Sequence, residues 1–265
     1  MSVKLMAIQF SSMLFLTKTL PMLDKIPASE KKELLRNFDK AVKKALAEIG
    51  FKKLGTDRGF IKQTNAETIG TIGISMTSKF SENIRLIPFV GVINVKALEL
   101  EELARADTEY PVNRKALNNH LHIRAAYLLP ESEKLPPLFY NEFLRADEWH
   151  LDKNSDIEAM VQQMATAISR YGLPFMESMG NARALYAFMS KLRSQNDYCH
   201  YVFNWRNTFP KLLFLIGERD DAYAMFKEEI QELKQSTLVS AKYDLEIIDN
   251  LYKIMRNTPL SSKVT

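Results

Sequence analysis

Apolar residues recur at helical spacing near the start of the chain. Leu34, Leu35, Phe38, Ala41, Val42, Ala45, Leu46 and Ile49 fall three or four apart, which places them on one helix face. Ser29, after Pro27 and Ala28, is a natural N-cap because its hydroxyl can accept from the free N–H groups of the first turn. Gly50 stands where a left-handed residue ends a helix. The pattern predicts a helix over residues 29–49.

The period then changes. Phe51–Leu54 and Phe60–Gln63 read as short strands around the turn-rich Gly55–Gly59. Residues 67–79 and 84–93 are β-branched and apolar, with a turn at Ser81-Glu82-Asn83. Ile72, Ile74 and Met76 share one face and Gly73, Ser75 and Thr77 the other, so the sheet has one buried face. Pro88 predicts an edge position or a bulge. A short helix is expected over 95–105 and a loop over 107–119. Alternation over His120–Leu129 predicts a further strand, and Phe143–Leu151 the last one.

From Ser155 the helical period returns. Ile157, Met160, Val161, Met164, Ala165, Ile168 and Tyr171 form a stripe, with Ser155 as cap and Gly172 and Pro174 as stop. Further helices are expected near 181–194, 200–216, 219–234 and 238–256, and the tail from Pro259 is expected to fray. Strands first and helices later predict an α+β fold. In it the N-terminal helix packs on a curved antiparallel sheet, followed by a C-terminal group of helices. Residues 1–152 are expected to form the sheet domain, and 153–265 a helical region packed on it as one unit.

Composition narrows the class. The chain is 46% hydrophobic and 26% charged, which excludes wholesale disorder. No apolar run is long enough to span a membrane. Leu5–Leu16 resembles a secretory signal, but Gln9, Ser11 and Ser12 interrupt it and no small-residue cleavage site follows, so it reads as an element packed on the body. The single cysteine, Cys199, excludes an internal disulfide and a multi-cysteine zinc site, and fits a reducing cytoplasm. Charge is uneven. Residues 1–65 carry 13 Lys+Arg against 6 Asp+Glu, or +7, whereas the rest carries 23 against 26, or −3. Lys43, Lys44, Lys52, Lys53 and Arg58 in this basic end are candidates for contacting an acidic partner or nucleic acid. The interleaved Glu30, Glu33, Asp39 and Glu48 instead suit a solvated helix face.

Other chemistry is sparse. His120-x-His122 places two imidazoles on one strand face, without a convincing third metal ligand. Cys199-His200 are helical neighbours whose side chains diverge. Gly70-x-x-Gly73 lacks the rest of a dinucleotide fingerprint and suits close packing. Trp149, Trp205, Tyr198, Tyr201 and Phe203, interleaved with Arg193, Arg206 and Lys211, suit either a helical core or a binding surface, with Trp149 and Trp205 the binding candidates. Asp220 and Asp221 suit a helix start. No catalytic motif, metal site or cofactor site emerges.

Ala45-Leu46-Ala47-Glu48-Ile49-Gly50-Phe51-Lys52-Lys53-Leu54-Gly55, followed by Gly59-Phe60-Ile61-Lys62, resembles the opening of a bacterial family known as domain of unknown function 4304. The likeness continues through Pro88-Phe89-Val90-Gly91-Val92, Trp149, the helix 155–171 and Gly172-Leu173-Pro174-Phe175, covering roughly residues 29–190. It implies an N-terminal helix over a curved antiparallel sheet. It also implies kinship with small immunity or defence proteins that bind a partner, and it carries over no catalytic residue. The net charge of +4 departs from the acidic character of nuclease-blocking immunity proteins. The expected function is a non-catalytic protein-binding module of the cytoplasm. The alternatives are a nucleic-acid-associated protein using the basic face, or an enzyme with a dispersed site at His120, His122 and Glu142.

Overall fold

The first helix forms as α1, Ala28–Glu48, in a computed structural model that describes residues 26–55, 58–77, 84–106, 108–109, 112, 117–130, 132, 149–195, 201–202 and 205–258. Its N-cap is Pro27, whose carbonyl accepts from Lys31 N–H at 2.9 Å; Ser29 lies inside the first turn and does not cap it. Gly50 closes the other end with φ +89°, its N–H on Ala47 O at 3.0 Å and that of Phe51 on Leu46 O at 2.9 Å. Lys62 Nζ adds a bond to Ile49 O at 2.9 Å, placing a cation at the negative end of the helix.

The strands are β1 (Lys52–Leu54), β2 (Gly59–Gln63), β3 (Thr68–Thr77), β4 (Ile84–Asn94), β5 (Leu121–Arg124), β6 (Trp149–Leu151) and β7 (Tyr201–Val202). They make one antiparallel sheet in the order β1-β2-β3-β4-β5-β7, and β6 pairs with the start of β4. Phe60, Ile72, Val90 and Ile123 stand opposite one another across four strands, each at most 3% exposed. Against this face pack α1 and α3 (Ile157–Ala167), leaving a void of only about 10 Å³ among Val42, Leu46, Ile74, Val161 and Met164.

Pro88 corrects its expectation, because it lies in a central strand opposite Ile74. Ile74 N–H bonds to Arg58 O on the β2 side, so the pair exchanges no hydrogen bonds and the nitrogen of Pro88 faces away from β3. On that side β6 has ended at Leu86 and β5 begins at Phe89, so the missing donor falls in the gap between them.

Two further expectations change. The chain leaves β5 for a 3-10 turn at Ala125–Leu128, where a strand was expected to continue. A strand would turn Ala125 and Ala126 to opposite faces, whereas the turn buries both. The helix expected to stop at Gly172 runs on through one π turn, Ile168–Gly172, into α4 (Leu173–Ser178). Pro174 has no N–H to return to the preceding turn, and the widened turn lets Leu173 N–H reach Ile168 O. The N-cap of α3 is Asp156, which accepts from Ala159 N–H at 3.0 Å; Ser155 instead accepts from Asp152 N–H.

The remaining helices are α2 (Val95–Arg105), α5 (Ala182–Ser194), α6 (Trp205–Leu215), α7 (Arg219–Gln235) and α8 (Val239–Asn257). Asp220 and Asp221 occupy the first turn of α7. The main core joins the sheet, α1, α3, α5 and one face of α6 (Phe209, Leu212), so it draws on residues either side of position 152. Leu213 and Phe214 of α6 join α2, α7 and α8 in a second cluster. Among the described residues no helix is long and apolar enough to cross a membrane. The segments Leu5–Leu16 and Cys199-His200, and Glu142, lie outside the described residues.

Gly70 is where the sheet meets α4. A Cβ there would stand 2.3 Å from Met176 Sδ and 3.1 Å from a Thr64 methyl. Gly70→Ala is expected to lower stability by about 1–3 kcal/mol through overpacking, and to cost less than that when introduced into a Met176→Ala background, both read from urea midpoints.

Candidate protein-docking face

The sheet face turned away from α1 and α3 is unusually low in side chains. Gly59 and Gly73 stand opposite each other on it, and Gly91 lies further along, opposite Thr71. Leu117 lies over the glycine pair, its side-chain atoms 3.1–3.5 Å from where either glycine would carry a Cβ. Asn119 covers Gly91 and pairs with Thr71, whose hydroxyl donates to Asn119 Oδ1 at 2.6 Å. What remains open is a groove of about 290 Å³ lined by Leu54, Arg58, Ser75, Phe89, Leu117 and His122, with the glycines in its floor. The His122 ring meets Phe89 edge-on, with centroids 5.2 Å apart. Burial pushes the His122 imidazole below its usual pKa, so at neutral pH it is uncharged and offers one donor and one acceptor.

The basic candidates surround this face unevenly. Arg58 lines the groove and is tied to Asp39 of α1, Nη2 lying 2.8 Å from Oδ2. Lys52 and Leu54 share the outer face of β1, so Lys52 stands on the groove's rim and is exposed. Lys53 is also exposed but belongs to the opposite face. Lys43 and Lys44 are exposed on α1 and diverge by about 100°. Lys43 continues the line of Lys32 and Arg36, whereas Lys44 lies toward Glu33 and Glu48. The structure therefore brings Arg58 and Lys52 to the groove and separates the other lysines from it.

The aromatic candidates sort differently. Trp149 is 4% exposed and lies in the core, its indole N–H on Gln163 Oε1 at 3.1 Å, so its ring is not presented to a partner. Trp205 opens α6, and its side chain, with Tyr198, Tyr201, Phe203 and Arg206, lies outside the described residues. Lys211, read above as part of either a helical core or a binding surface, is 1% exposed.

The His120-x-His122 pair separates. His120 precedes β5, is 4% exposed, and accepts at Nδ1 from Asn94 N–H at 2.9 Å, while His122 points to the groove. Its Nε2 therefore carries the proton, and that atom finds no hydrogen-bond partner among the described residues. Burial, with Lys211 nearby, lowers its pKa from 6.5 to about 3. No group of three or more potential metal ligands occurs among the described residues.

No protein-family model, curated protein or solved structure matches this chain. The groove itself was not legible in the sequence. The one sequence signal was the outward set Gly73, Ser75, Thr77, small and polar residues on a strand whose other face carries Ile72, Ile74 and Met76.

Proposed function

We propose that the chain is a non-catalytic protein-binding module, of the immunity or defence type implied by its resemblance, and that it captures its partner on the outer face of the sheet. The observation that carries this reading is the groove over the Gly59–Gly73 pair. Such a concavity accepts a bulky apolar side chain, and a buried aromatic or aliphatic anchor supplies most of the affinity of a typical interface. Lys52 on the rim favours an acidic residue beside that anchor, an effect that acts mainly on the association rate.

The test is a nuclease-treated affinity pull-down from native lysate, with wild type and Ser75→Trp side by side. Ser75 is exposed and lines the groove, so tryptophan fills it without disturbing the core. One stoichiometric partner is expected with the wild type, with at least about tenfold weaker capture by Ser75→Trp. Lys52→Glu is expected to slow association at low salt, with little effect on dissociation. Equal capture by wild type and Ser75→Trp removes the groove from the reading. Recovery of nucleic acid alone, and only when nuclease is omitted, transfers it to the Lys32–Arg36–Lys43 line of α1, with a steep salt dependence.

A further inference from the structure

Four residues form one cross-strand row on the outer face of the sheet: Leu54 on β1, Gly59 on β2, Gly73 on β3 and Phe89 on β4. Strands lie about 4.8 Å apart, so Leu54 and Phe89 stand about 14 Å apart at the backbone. The two glycines between them leave a slot two side chains wide, floored by bare peptide groups and partly roofed by Leu117. Its two ends are polar. Ser75, which is exposed, lies two residues beyond Gly73 along β3, at the mouth. His122, half-buried, stands in the next row in the other direction, opposite Gly91, its ring against Phe89. Neither side chain forms a hydrogen bond with another described residue. Arg58 also lines the slot but is committed to Asp39. Lys52, which shares the outer face of β1 with Leu54, is exposed and has no ion pair among the described residues.

We propose that the partner's anchor is a tyrosine with an acidic residue beside it, its ring lying over Gly59 and Gly73 and its hydroxyl meeting His122. This rests on the docking reading above and names the chemistry of its partner. An aromatic ring can approach the glycine floor closely, where side chains would hold it off. Phenylalanine or leucine would fill the same slot but would cover the His122 imidazole without a hydrogen-bond partner, which carries the desolvation cost of that group. Tyrosine has its hydroxyl at the tip of the ring, and the uncharged imidazole can accept from it or donate to it. Tryptophan has only a donor, and it projects from the side of the indole. The acidic neighbour complements Lys52, a cation that no carboxylate of the described residues engages.

NMR titration of the full chain with acetyl-Glu-Tyr-amide tests this, with acetyl-Glu-Phe-amide as the control that lacks only the hydroxyl. Saturable binding of the tyrosine peptide is expected, with shifts at the Gly59 and Gly73 amides. The phenylalanine peptide is expected to bind about threefold to tenfold more weakly, the loss of one hydrogen bond. Acetyl-Gln-Tyr-amide is expected to bind more weakly at low salt, with the difference shrinking as salt is raised. His122→Leu is expected to erase the preference for tyrosine over phenylalanine. Ser75→Trp is expected to abolish binding of both, and serves as the test should His122→Leu not fold. The proposal is overturned by absence of saturable binding of the tyrosine peptide, or by a preference for tyrosine that survives His122→Leu. Equal wild-type affinities that Ser75→Trp abolishes overturn the tyrosine and leave the groove reading standing. Binding untouched by Ser75→Trp overturns both.

Discussion

Replacing Glu101 by Leu is expected to destabilise the fold by about 3–5 kcal/mol, whereas replacing Lys211 by Met is expected to cost less than about 2. The asymmetry follows from who is left behind. Lys211 on α6 is 1% exposed, and its Nζ lies 2.6 Å from Glu101 Oε2. Glu101 on α2 is bound by a second cation as well, Arg105 Nε donating to its Oε1 at 3.0 Å. Removing Lys211 thus leaves Glu101 still paired, while removing Glu101 strands an ammonium in the interior. Burial pulls the Lys211 pKa down and Glu101 opposes that pull. Burial alone would raise the Glu101 pKa, but Lys211 and Arg105 outweigh it and hold the carboxyl below 4.5. The double variant is expected to resemble Lys211→Met alone, which means strong coupling in a double-mutant cycle. Urea midpoints at unchanged slope are the measurement. Equal losses for the two single variants would show that Arg105 does not compensate as the geometry requires.

His120 sets the second large effect, on acid stability. Its pKa is 6.5 when unfolded and about 3 when folded. Between these values the unfolded chain holds a proton that the folded chain refuses, so stability falls as the pH falls. The contribution is fully present above about pH 6.5 and is lost at up to ~1.4 kcal/mol per pH unit below it. Glu101, held below 4.5, loses stability in the same direction, but only once the pH approaches that value. The window from pH 6.5 to 4.5 therefore isolates His120 from Glu101. Across it the wild type is expected to lose about 2–3 kcal/mol. His120→Asn is expected to make the profile shallower there, leaving the part that His122, whose pKa burial also lowers, contributes with the same sign; the Asn amide oxygen can still accept from Asn94 N–H and does not titrate. An equally steep profile in the variant would place the acid sensitivity elsewhere.

These two groups also show where one sequence stops being informative. The α1 face, the strand-rich middle and the helical second half were legible because each rests on a local period, 3.6 or 2 residues, that a one-sided core imposes on its own segment. The ends were less so. Ser29 and Ser155 were plausible caps, yet Pro27 and Asp156 hold those positions, since a residue that can cap does so only where the chain enters the helix. Pro88 looked like an edge residue because the sequence does not reveal that β4 has two different neighbours on one side, with a gap between them. Gly172 and Pro174 are common stop signals, and here a π turn absorbs them because α4 is held against the sheet over Gly70.

The candidate sites were less legible still. Lys211 sits within the apolar run Phe209-Pro210-Lys211-Leu212-Leu213-Phe214, which the fold buries, and the counter-charge that lets it be buried lies 110 residues earlier. Trp149 looked as suited to a surface as to a core until α3 supplied Gln163 for its indole N–H. By itself the sequence determined the α+β class, the order of most elements and which face of each is apolar, because these follow from neighbours three to four or two positions apart. Only the tertiary structure decided which charges are buried, that Gly59 and Gly73 open one groove, and that Arg58 and Lys52 border it while Lys43, Lys44 and Lys53 do not. Those outcomes depend on strand register and helix docking, where a single step of register or about 100° of helix rotation exchanges a buried side chain for an exposed one.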